Sequence, residues 1–156
     1  MSEQTLEDAL ETPPNHLIEK VPNPEALSGQ PDPVLLSRME VAIQREKRAY
    51  EQEMAREVQS LIDLLQANAR PGALWPLAHE LRCMAGTFAF PFLTQVAQVL
   101  CMLIKKHQTM QHLPMEITDV FAHALHRARS HTGPLGDKEA QVIQGLQKIA
   151  VRHMAA

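Results

Sequence analysis

The chain has 156 residues, 45% of them hydrophobic and 4% aromatic, and a formal net charge of −3. That length suits one domain with a buried core plus a tail, and the longest apolar run, Val99 to Ile104, falls far short of the ~20 residues of a membrane span. The slightly acidic balance argues against a nucleic-acid partner. The acidic opening MSEQTLEDALE lacks the basic and apolar regions of a secretory signal. Two cysteines make no disulfide scaffold, so a reducing cytoplasm is the expected compartment.

Charge and proline divide the chain near residue 33. Residues 1–32 hold seven acids against Lys20 alone, a balance of −6, and residues 33–156 carry +3. Pro13, Pro14, Pro22, Pro24, Pro31 and Pro33 crowd the same front stretch. So acidic and Pro-rich a segment, with few large apolar residues, cannot offset its ordering entropy. Residues 1–32 are therefore expected to be a disordered tail, and residues 33–156 the folded domain.

Asp32-Pro33 reads as an N-cap followed by proline at the first helical position. With no further Pro or Gly until Pro71-Gly72, a helix of up to about 38 residues can follow, carrying apolar residues from Leu35 to Leu65 at helical spacing. Its charged gap, Arg45 to Arg48, marks 33–49 as a projecting extension and the later half as the part that packs. Pro76 is expected to open a second helix ending near Ala89, where Phe90 is pushed out of the α region by Pro91. Pro91 opens a third helix to about His107, Pro114 and Glu116 a fourth, and Asp137 caps a fifth after the Gly133-Pro134-Leu135-Gly136 break. No stretch alternates with period two. The expected fold is all-α: an up-and-down antiparallel bundle, four core helices plus an additional or extended helix.

The second helix is unusual. With His79 at 0° and 100° per residue, Leu77, Leu81, Met84, Ala85 and Phe88 fall between about 140° and 240°, the core stripe. His79 lies opposite, flanked by Arg82 near about 300°, Cys83 near about 40° and Gly86 near about 340°. Trp75 and Phe90 fall on the same side, as a docking rim or as a seal on the bundle end. Gly86 costs about 1 kcal/mol relative to Ala inside a helix, which points either to close approach by a partner or to tight packing of a neighbouring helix.

The run Ala78-His79-Glu80-Leu81-Arg82-Cys83-Met84-Ala85-Gly86-Thr87, with Leu93 beyond it, resembles the signature of the histidine-containing phosphotransfer (HPt) domain. The likeness is close over about 16 residues and loose over the helices from Tyr50 onward. Two positions depart from the family pattern: Cys83 and Ala89 stand where glycine is usual. The resemblance implies a phosphorelay intermediate of a two-component pathway. His79 would accept a phosphoryl group from a receiver-domain aspartate and pass it to another receiver. Arg82, one turn on, would stabilise charge on the transferred oxygens. Trp75, Cys83, Gly86 and Phe90 would belong to the docking face.

The implied partners are response-regulator receivers or a hybrid histidine kinase, with Mg2+ held by the receiver. No cofactor, metal, membrane or nucleic acid is expected, and the chain is expected to be monomeric. Lacking a Gly-rich nucleotide loop, it is expected to be a phosphocarrier without kinase activity of its own. The other reading, supported by Cys83 beside the histidine, is an HPt-like adaptor that binds a signalling partner without phosphotransfer. His123 and His126 share a polar face at i,i+3, but no Cys, Asp or Glu completes a ligand set there.

Overall fold

The computed structural model describes Gly29 and residues 32–155. Apart from Gly29 and Asp32, the predicted tail lies outside the described residues. Five helices follow: α1 Pro33–Gln66, α2 Pro71–Thr87, α3 Pro91–Lys106, α4 Met115–Arg129 and α5 Asp137–Ala155. Among the described residues there is no strand, and the architecture is an all-α bundle. The chain divides into two compact units, residues 1–42 and 43–156. In the first, the described part of α1 is exposed throughout.

Local chemistry sets most of the boundaries. Asp32 caps α1 through a 2.9 Å bond that the Val34 N–H donates to its Oδ1, with Pro33 at N1, where an N–H would have no helical acceptor. The helix stops four residues short of the Pro71 limit because Asn68 turns left-handed, at φ 56°. The Asn68 and Ala69 N–H groups then bond back to the Leu65 and Leu64 carbonyls, each at 3.0 Å, closing a Schellman motif.

The start of α2 is earlier than Pro76. Arg70 is extended, as the residue before proline must be, and Pro71 takes N1, so Pro76 sits inside the helix. Its ring removes one N–H, the donor to the Gly72 carbonyl, and Gly72 is exposed, so solvent can satisfy that oxygen. At the other end the helix stops at Thr87, not Ala89. Ala89 is left-handed, at φ 59°. The Phe90 N–H reaches the Ala85 carbonyl at 2.8 Å and the Ala89 N–H reaches Gly86 at 3.4 Å, a second Schellman turn. At the start of α5, Gly136 rather than Asp137 is the cap residue: its carbonyl accepts from the Ala140 N–H at 2.9 Å. Glu139 Oε2 in turn accepts from the Gly136 N–H at 3.2 Å, the reciprocal half of a capping box.

The core is assembled around α3, which packs on α2, α4 and α5. Phe92, Leu93, Val96, Ala97, Val99, Leu100, Cys101, Leu103 and Ile104 are all buried. Ile117, Phe121 and Leu125 of α4 and Ile143 and Leu146 of α5 close over it. The second half of α1 adds Tyr50, Met54, Val58, Leu61, Ile62 and Leu65. The Tyr50 ring stacks on Phe88 at 4.9 Å between centroids. This clamps the end of α2, the element that carries the candidate site.

Candidate functional site

Along α2 the buried positions are Pro71, Leu74, Ala78, Leu81 and Ala85, with Leu77, Met84 and Phe88 only partly covered. The core stripe is thus rotated by about 50° toward His79 from the one the apolar residues suggest. The cause is that small Ala78 and Ala85 let α3 approach closely, while bulky Leu77 and Met84 lie at the flank. His79 and Arg82 are consequently half-buried rather than fully exposed, and Trp75 is half-buried beside them.

Three side chains at i−4, i and i+4 form a ladder. The Trp75 and His79 rings are 5.4 Å apart between centroids, inclined by 35°. On the following turn, Cys83 Sγ lies 4.0 Å from His79 Nδ1. Cys83 is exposed, and Thr87 Oγ1 donates to its carbonyl at 2.9 Å. Among the described residues the imidazole has no other polar partner within hydrogen-bond range, so it is held by packing and remains chemically uncommitted. The i,i+4 relation of Cys83 to His79 is legible in the sequence. Wheel angles alone obscure it, because they place Cys83 beside the histidine without showing that its sulfur faces the ring.

Arg82 makes no hydrogen bond or ion pair among the described residues. Burial pushes the Cys101 thiol on α3 up to about 11, and the Arg82 charge is a smaller influence in the opposite direction. Gly86 is exposed, and a Cβ added there would meet only Thr94 Cγ2, at 3.7 Å. Neighbour packing therefore does not demand glycine. Gly86 instead lines, with Pro91, Thr94, Thr132 and Pro134, an open cleft of about 500 Å3 between the α2–α3 turn and the α4–α5 loop.

Phe90 does not belong to a docking rim. It is fully buried, 6.3 Å from Tyr50 between ring centroids, with Lys47 Nζ 5.0 Å from its own centroid. The reason is the Schellman turn: the residue after the left-handed Ala89 is thrown back onto the third-last helical residue, Ala85, and lands in the core.

Glu53 and Glu57 of α1 and Glu80 of α2 influence one another. Burial holds the Glu57 carboxyl above its ordinary range, reinforced by Glu80 and Glu53, while Tyr50 Oη donates to its Oε2 at 3.5 Å. His123 and His126 are exposed on α4. Among the described residues no group of three or more His, Cys, Asp or Glu is placed to hold a metal ion, and no helix is long and apolar enough to cross a membrane.

No family model matches the chain, and neither a curated protein nor a solved structure does. The functional reading therefore rests on the residues of α2 and the bundle that presents them.

Proposed function

We propose that the protein is a phosphorelay intermediate in which His79 accepts a phosphoryl group from a receiver-domain aspartyl phosphate and passes it to a second receiver. One observation carries this reading: the mid-helix imidazole of α2 is accessible, and its single polar neighbour among the described residues is a thiol 4.0 Å away. A histidine so placed keeps a nitrogen lone pair for attack. Phosphoryl transfer asks mainly for position and charge stabilisation. The two turns of α2 flanking the ring, clamped by Tyr50 and Trp75, supply the position. Arg82 lies one turn on and offers a guanidinium fork suited to phosphoryl oxygens. With no partner among the described residues, it is available to transferred oxygens. The open cleft beside Gly86 offers room for a partner backbone about two turns further along α2. The receiver would bring the aspartate and Mg2+.

The direct test incubates the protein with a receiver carrying labelled aspartyl phosphate, with His79→Gln in parallel. Acid-labile, base-stable label on wild type alone is the expected result. Absence of label with every receiver tried overturns the reading in favour of an adaptor. That alternative draws on the six large hydrophobics exposed between Val34 and Ile43, a surface suited to a helical partner.

A further inference from the structure

The geometry points to a second use of the same face: we infer that His79 Nδ1 and Cys83 Sγ form a two-residue clip for a thiophilic divalent cation of the zinc type. The two side chains stand at i and i+4 on one helix face, a spacing at which paired ligands of a helix converge on one metal. Their ligating atoms are 4.0 Å apart. A tetrahedral zinc with Zn–N of about 2.0 Å and Zn–S of about 2.3 Å needs them about 3.5 Å apart, so small side-chain rotations close the gap. Cys83 is exposed, which gives the ion a path in. Trp75 packs on the imidazole from the preceding turn and limits its rotation, reducing the ordering cost of chelation.

Sulfur and imidazole together select zinc, cadmium or cobalt over magnesium and calcium, which prefer oxygen ligands. With no third protein ligand placed to join them among the described residues, water fills the other positions and the ion exchanges readily. Binding deprotonates the thiol, and its proton leaves to solvent. The imidazole donates its Nδ1 lone pair and carries its proton on Nε2. Both ring nitrogens are then engaged, so the loaded protein has no lone pair with which to attack a phosphoryl group. This last consequence rests on the phosphorelay reading; the clip itself does not.

The test titrates the full chain with Co2+ and follows the thiolate-to-cobalt charge-transfer absorption. A band saturating at one ion per chain is expected, displaced by Zn2+ and appearing at lower metal concentration as pH rises. It is abolished by Cys83→Ser, weakened at least tenfold by His79→Gln, and unchanged by Cys101→Ala. No band, the same band in Cys83→Ser, or an undiminished band in His79→Gln each overturns the clip. Failure of phosphotransfer in metal-free protein bears on the relay alone.

Discussion

Gly86 is the residue whose cost the fold does not explain. Its added methyl would sit in ordinary contact with Thr94 Cγ2 at 3.7 Å, and alanine is the better helix former by about 0.5–1 kcal/mol. Gly86→Ala is therefore expected to raise stability by about that amount in chemical denaturation, while slowing transfer from a phospho-receiver, since the methyl projects at the mouth of the open cleft. Faster or equal transfer in the variant would remove Gly86 from the docking face. At the same scale, Cys83 is more than a departure from a signature. Its sulfur lies 4.0 Å from the His79 ring.

Among the elements, α2 owes its shape to its two ends. The left-handed residue closing it, Ala89 at φ 59°, occupies a conformation that glycine adopts freely and that costs an L-residue about 1–2 kcal/mol. Ala89→Gly is expected to stabilise the protein by about 1 kcal/mol once the entropy of the freer unfolded chain is subtracted. A higher denaturation midpoint at unchanged slope is the result to look for. A loss of stability would mean that the turn relaxes out of the left-handed region in solution. The Schellman geometry also explains why Trp75 is only half-buried and Phe90 fully buried: Trp75 lies on the wheel of α2, whereas Phe90 lies beyond the turn.

For the whole molecule, sensitivity to acid is expected where the C-terminal end of α3 meets the start of α4 and the end of α5. His107 Nε2 is buried without a partner, its Nδ1 lies 3.0 Å from Met110 Sδ, and its ring is 6.2 Å from that of His153 between centroids. Burial lowers the His107 pKa, with His153 and Lys106 adding repulsion. Close by, Glu116 accepts from His153 Nε2 at 3.0 Å and pairs with Arg152 at 3.4 Å, tying α5 to α4. A histidine with a depressed folded-state pKa contributes nothing above the unfolded value of about 6.5. Below it the unfolded chain takes up the proton first, so stability falls as pH drops toward the lower folded-state value. His107→Gln is expected to flatten part of that fall in denaturation midpoints measured between neutral and mildly acidic pH. An unchanged pH profile would show that the neighbouring groups, not His107, set the dependence.

How much of this was legible beforehand follows from the range of the interactions involved. The all-α class and the starts of α1 and α3 at Pro33 and Pro91 come from short-range rules: proline's fixed φ, side-chain capping and the 3.6-residue period. The placement of His79 near Arg82 and Cys83 on α2 is local in the same sense, because helical spacing alone makes them neighbours. The start of α2 at Pro71 and the left-handed Asn68 and Ala89 depended on which of several allowed backbone states the packing selects. Only the tertiary structure decided that Phe90 is core and that the buried stripe of α2 turns toward His79. Each depends on how closely a neighbouring helix approaches, and that distance is set by side chains far apart in the chain.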